Sequence, residues 1–249
     1  MKQIFISISF SLLTALGFIA CGNSANNNSS VTEEESKEIA NNAIFADSVK
    51  PVGQIMFDFE NNQLSQIPRG WSQHYPGSGG TDWKVIDDNG QKMLAQLYSD
   101  NPGSHFNIIV NDSISASDMI LSVSLKGVKG NKDQGGGFVW RFTDKNNYYV
   151  VRANPLEDNV VLYKVENGAR TDLPLIGKGK TYGTEAPPMG GSWHTLKLVV
   201  NRDLFTVFLD DKELFKVKDS TFTNPGKIGF WTKADAVTYF DNFEVKIFK

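Results

Sequence analysis

Cysteine is almost absent: the 249-residue chain has one, Cys21, so no intramolecular disulfide can form. The three histidines, His74, His105 and His194, sit in separate segments with no metal-ligand spacing to nearby carboxylates, which excludes a histidine-based catalytic zinc. Positive charge is not in excess either. With 25 Lys+Arg against 28 Asp+Glu, the net charge of −3 leaves no electrostatic footprint for nucleic acid. No Gly-x-Ser-x-Gly elbow supports a serine hydrolase. The glycines at 77–80 and 135–137 are followed by neither a helix nor a Lys-Ser/Thr pair, so they are not phosphate loops. Beyond residue 50 no stretch sustains a 3.6-residue apolar period, and helices are not expected there.

What is present begins with Lys2 and the apolar run "IFISISFSLLTALGFIA". That run has the length of a signal h-region and is short for a membrane span, which needs roughly 20 apolar residues. Ala20 before Cys21 resembles the lipobox of bacterial lipoproteins, although Phe18 stands where leucine is usual. The resemblance implies a signal peptide over 1–20 and a lipid on Cys21 that ties the chain to the bilayer. Gly22, in place of an aspartate, points to the outer membrane, at its periplasmic face or the cell surface. Loss of 1–20 removes Lys2 and leaves a net charge of −4. Residues 21–52 lack Trp and Tyr, are rich in Asn, Ser and Glu, and can bury little, as a tether does. Some 30 flexible residues span on the order of 30 Å. The folded domain is expected over 53–249.

From Ile55 the texture changes. Short segments rich in Val, Ile, Phe, Tyr and Trp, from "QIMFDFE" and "WKVIDD" to "KIGFWTK" and "TYFDNFEVKIF", alternate with Gly, Asp and Asn turns. "FTDKNNYY", "VVNRDLFTV" and "FLDDKELF" read as hairpins. More than ten such strands with no internal repeat predict an all-β fold, a two-sheet antiparallel jelly-roll sandwich.

The stretch "GGGFVWRFTDKNNYYVVRAN" poses the functional question. Pairing its strands with Phe142 opposite Tyr149 puts Phe138, Trp140 and Phe142 on one face with Tyr149, Val151 and Ala153, a set suited to an inter-sheet core. Val139, Arg141, Tyr148, Val150, Arg152 and Asn154 then share the other face. A one-residue slip would move Tyr149 and Ala153 beside Arg141, and whichever of Trp140 and Tyr148 faces the cleft belongs with the second set. Pro155, without an N–H, ends the strand, and "LEDN" is expected to fold back so that Glu157 reaches Arg152. Arg, amide and aromatic groups on one face suit sugars, whose hydroxyls take planar hydrogen-bond pairs and whose CH faces stack on rings. A structural Arg–Glu brace explains the same residues.

The series from Gly135 to Thr171, with "WHTLKLVVNRDLFTVFLDDKELFKVKDSTFTNPGKIGFWTKADAVTYFDNFEV", resembles bacterial secreted domains of concanavalin A-like lectin/glucanase fold. It is similar to laminin G-like modules and to the 3-keto-disaccharide hydrolase family, over about residues 55–249. The resemblance implies a glycan partner and adds Trp231 and Lys233 to the candidate binding residues of the hairpin and its turn, Arg141, Tyr148, Arg152, Asn154 and Glu157. The Glu-x-Asp-x-x-Glu strand motif of laminarinase-type relatives is missing, so no catalytic residue carries over. Glu157 and Asp235 are the carboxylates to suspect first if the protein is an enzyme. Jelly-roll modules often hold a structural calcium where their terminal strands meet, which here implicates Asp58 and Asp241; no other cofactor is expected. Three readings follow: a carbohydrate-binding lipoprotein, a glycoside-acting enzyme (hydrolase or 3-keto-disaccharide hydrolase type), and an adhesive or structural surface protein.

Overall fold

Alternating apolar and polar residues dictate strands, and strands are what form. The computed structural model describes residues 49–249. The expected signal segment, Cys21 and nearly all of the tether lie outside the described residues. The strands of the N-terminal half are β1 (Gly53–Phe57), β2 (Trp71–His74), β3 (Trp83–Asp88), β4 (Gln91–Gln96), β5 (Phe106–Ala116), β6 (Met119–Lys129), β7 (Gly136–Asp144) and β8 (Asn147–Asn154). Those of the C-terminal half are β9 (Asn159–Glu166), β10 (Ala169–Asp172), β11 (Thr184–Glu185), β12 (His194–Asn201), β13 (Leu204–Leu209), β14 (Lys212–Lys218), β15 (Gly226–Lys233) and β16 (Val237–Ile247).

They form two antiparallel sheets. One runs β14-β13-β12-β6-β16-β4-β3, with β1 also on β16; the other runs β10-β9-β8-β7-β15-β5-β2, with β11 on β9. The terminal strands β1 and β16 lie side by side, Phe57 opposite Phe243. Tight turns close the hairpins: between the paired Leu209 and Lys212, Asp210 and Asp211 adopt φ of 49° and 62°, the primed turn that matches strand twist. Short β2, β10 and β11 were not foreseen from sequence.

The inner faces interdigitate. Phe138, Trp140, Tyr149, Val151 and Ala153 enter the inter-sheet core. The Trp140 ring stacks on Tyr149 at 5.3 Å between centroids and meets Phe205 edge-on at 5.3 Å. The register differs from the expected one by two residues, so Trp140, not Phe142, faces Tyr149. Faces are preserved up to Trp140. Beyond it a β-bulge shifts the register before Asp144, with Arg141 at φ 47°. An extra residue in a bulge reverses the alternation, so Phe142 joins the outer face with Val139, Tyr148 and Val150.

That outer face is a bowl. In a flat sheet Arg170 on β10 and Phe106 on β5, five strands apart, would be separated by about 24 Å. Yet the Arg170 guanidinium lies 5.3 Å from the Phe106 ring centroid. Two glycines sit at close inter-strand approaches in its floor. A Cβ on Gly137 would fall 2.0 Å from the Val151 carbonyl oxygen, and one on Gly229 would fall 1.9 Å from that of Ile109. Only glycine fits at either place.

Truncating Trp140 to Ala leaves a large cavity between the sheets and should cost about 3–5 kcal/mol in urea-monitored unfolding; a loss below about 1 kcal/mol would show that the ring is not a core element.

Candidate functional site

Strand β8 ends at Asn154, and Pro155 opens a turn rather than a further rung. The Asn154 side chain sets that turn: its Oδ1 accepts the N–H groups of Leu156 at 3.1 Å and Gln134 at 3.3 Å. The Glu157 N–H closes the turn on the Asn154 carbonyl at 3.2 Å. Asp158 then takes φ 46° and accepts the Met189 N–H, anchoring the long loop that carries Tyr182. Glu157 is thereby presented to Arg152, whose Nη2 donates to its Oε2 at 2.7 Å. Arg152 also donates through Nη1 to Asn159 and, at 3.4 Å each, through Nη2 to the hydroxyls of Tyr163 and Tyr182. Those two hydroxyls are themselves bonded at 2.9 Å.

Arg152 is almost wholly buried, its side chain 1% exposed, while Glu157 keeps 39% exposure at the rim. Burial works against the Arg152 charge, but Tyr163, Asp133 and Glu157 outweigh it and its pKa is raised. Burial likewise opposes the Glu157 charge. Arg152, Asn159 and Lys233 overcome that, so its carboxyl lies below the usual range. Glu157 is an anion at neutral pH, not an acid holding a proton for a leaving group.

A second carboxylate faces the same arginine. Asp133 accepts the Gly135 N–H at 2.7 Å through Oδ1, and its Oδ2 lies 3.4 Å from Lys233 Nζ. Asp235 holds Asp133 there. Its two oxygens accept the backbone N–H groups of Asn131 at 2.8 Å, Lys132 at 3.0 Å and Asp133 at 3.1 Å. Burial raises the Asp235 pKa, and these backbone donors more than reverse the effect, leaving it lowered. The carboxylate suspected as an acid or base is thus a loop anchor, fully engaged by the main chain.

The structure brings Arg152, Glu157 and Lys233 together. Trp231 and Tyr148 lie on the same face, both wholly buried, while Asn154 braces the turn instead of offering its carbonyl oxygen to the bowl. Asp133, Asn159, Tyr163 and Tyr182 were missed; only the alternation of "NVVLYKVE" hinted that Asn159 and Tyr163 share a face.

Arg141 is a correction. The bulge turns it away from Arg152 toward one end of the sandwich. There its guanidinium donates to the carbonyl oxygens of Phe222 at 2.6 Å, Ser117 at 3.1 Å and Arg202, with Asp118 at 3.7 Å. It borders a cavity of about 410 Å³ with Asp118, Asp203 and Ser220, and it braces three loops. Where a calcium was expected, Asp241 lies within electrostatic reach of Asp58. Burial, then the charges of Glu60 and Asp58, raise the Asp241 pKa, but its oxygens accept from Gln91 and Asn242. Among the described residues no group of three or more His, Cys, Asp or Glu is placed to hold a metal.

The family described as 3-keto-alpha-glucoside-1,2-lyase-like domain matches residues 54–246. The chain belongs to that family. No curated protein sequence matches it. Among solved structures, the carbohydrate-binding module CBM66 from Bacillus subtilis is 24% identical with a TM-score of 0.55, over 71% of this chain and 95% of that one. The cellulose induced protein Cip1 is 11% identical with a TM-score of 0.54, over 77% and 96% of the two chains. The GH43 protein BlXynB from Bacillus licheniformis is 14% identical with a TM-score of 0.52; the match spans 78% of this chain and 39% of that one. These likenesses establish the fold of the lyase-like domain as a β-sandwich.

Because Arg141 satisfies three backbone carbonyls, Arg141→Lys should lower stability by about 1–3 kcal/mol. Chemical denaturation measures this. A variant as stable as the parent would remove the brace assignment.

Proposed function

We propose that the protein is a glycan-recognition lipoprotein that holds sugar in the bowl of the β10-to-β2 sheet. One observation carries the reading: a buried guanidinium, Arg152, pre-oriented by Glu157 at 2.7 Å beside the aromatic face that includes Trp231 and Tyr163. A planar fork and a carboxylate held together match adjacent sugar hydroxyls, and Tyr182, 53% exposed beside Arg152, offers a ring to the sugar's CH face. Membership of a glycoside-related family supports the same substrate class. The anchor is part of the proposal: a lipid on Cys21 at the outer membrane, with 21–52 holding the domain off the bilayer.

A second reading is favoured by the family description itself, a 1,2-lyase acting on 3-keto-glucosides. In that chemistry a carboxylate takes the C2 proton beside the 3-ketone, and the C–H electron pair forms an enolate. The ketone then reforms, a C1–C2 double bond forms, and the C1–O bond breaks, its alkoxide taking up a proton. Glu157 and Asp133 are the available bases, and Arg152 and Lys233 the cations that would stabilise the enolate. Despite the burial of Glu157, Arg152 and Asn159 hold its carboxyl below the usual range, which makes it a weak base.

A glycan array probed with the soluble domain, followed by titration of the best ligand, tests the first reading. Arg152→Lys should weaken binding by about 1–3 kcal/mol, because an ammonium cannot reproduce the fork. Unchanged affinity in that variant, or no glycan retained by folded protein, would sink it. Release of aglycone from a 3-keto-α-glucoside, abolished by Glu157→Gln or Asp133→Asn, would replace it with the lyase.

For the anchor, Cys21→Ala should shift the protein from the membrane fraction to the soluble periplasm. Unchanged partition and processing would remove the lipoprotein assignment.

A further inference from the structure

Edge strand β10 places Arg170 at the rim of the bowl, opposite Val165 of β9. Arg170 is partly exposed, and its guanidinium leans over the aromatic face with Nη1 buried. It lies 4.4 Å from the Tyr163 ring centroid, 5.3 Å from that of Phe106 and 6.0 Å from that of Trp231, inside a cage of aromatic rings. Arg152, in the same bowl, is paired with Glu157; Arg170 is not paired. No carboxylate lies within ion-pair distance of it among the described residues, not even Asp172, two residues along the same strand. Its buried Nη1 has no hydrogen-bond partner.

Two further donors share that cage. The Trp231 indole N–H and the Tyr148 hydroxyl belong to wholly buried side chains, and neither has a partner of hydrogen-bonding geometry. Tyr148 faces the Trp231 indole and feels the Arg170 charge. Buried polar groups in native proteins are nearly always satisfied, and each exception calls for a cause. Here the unsatisfied groups are a cation, an N–H and a hydroxyl, and the hydroxyl oxygen is the one acceptor among them, so donors are in excess. What completes such a set is an acceptor carrying negative charge.

We propose that the bowl recognises an anionic substituent of its glycan, a uronate carboxylate or a sulfate ester, through Arg170, Trp231 and Tyr148. The inference rests on the glycan-binding reading and adds the class of sugar. Arg170 supplies the charge. Beneath it the buried indole N–H and tyrosine hydroxyl add donor dipoles that favour an anion above them. The rings around them exclude water, which strengthens each charge-assisted bond. Arg152 and Glu157, an internally neutral pair, are left to read hydroxyls.

The test compares acidic glycans with neutral ones of the same backbone, uronides against carboxyl-reduced forms and sulfated against desulfated forms, titrated into the soluble domain. The acidic member of one pair should bind about tenfold or more tightly, and the pair that discriminates identifies the anion. Arg170→Gln should erase that difference while leaving neutral-glycan affinity and the melting temperature within error. Arg170→Lys, which keeps charge but not the fork, should recover part of it. Equal affinity for acidic and neutral members overturns the inference and leaves glycan binding standing. Parallel loss of acidic binding, neutral binding and thermal stability in Arg170→Gln makes the residue a cap on the aromatic face and also overturns it. If no glycan of either kind binds the folded parent, both readings fall together.

Discussion

A guanidinium removed from water must be surrounded by acceptors, and Arg152, with 1% of its side chain exposed, imposes that requirement on one end of the molecule. The features at that end follow from it. The Pro155 turn returns Glu157 to the arginine. Asn159, the first residue of β9, supplies a second acceptor, and the Tyr163–Tyr182 pair closes the remaining side. Asp235 gathers three backbone N–H groups so that Asp133 contributes a second negative charge. Removing any one of these leaves a buried charge short of a partner. The network is therefore held from several sides as well as polar.

The two arginines of the opening hairpin show how little local pattern can say about a charged side chain. Strict alternation puts Arg141 and Arg152 on one face. A single bulge residue at φ 47° separates them by purpose as well as position. Arg141 becomes a brace on three loop carbonyls, and Arg152 becomes the centre of the bowl. The displaced Phe142 enters the bowl, its ring 5.1 Å from that of His74 on a strand three places away. Nothing in "VWRFTDKN" announces the bulge, because the arginine at its apex is stabilised by loops more than 20 residues away in sequence.

The fold itself was legible because it depends on period-two alternation and on turn residues, both local properties. Phe138, Trp140, Tyr149 and Val151 could be assigned to the core from that alternation alone. The candidate site was legible in part. Arg152 and Glu157 lie five residues apart, with a proline between them that forces the return. Trp231 and Lys233 alternate on β15. Asp133 and Arg170 were not legible. The first acts only because Asp235, a hundred residues on, folds its loop. The second sits on a four-residue edge strand whose neighbours "NGARTD" read as a turn, and its distance from Phe106 depends on sheet curvature, which no linear pattern encodes.

Curvature also decides between the chemistries the bowl can support. A curled sheet brings side chains from distant strands over a common floor, and Gly137 and Gly229 permit close strand approaches in that floor. Hydrolysis by paired carboxylates needs one of them protonated at working pH, and an apolar setting normally achieves this. The bowl does the opposite for Glu157, whose carboxyl is held ionised by the cation and amide around it. Orphaned donors gather instead near its aromatic cage, around Arg170. Unpartnered donors of this kind suit the acceptor groups that the proposed glycan would bring. An elimination assisted by the 3-ketone of a substrate would not need such an acid, and so remains compatible with the same residues.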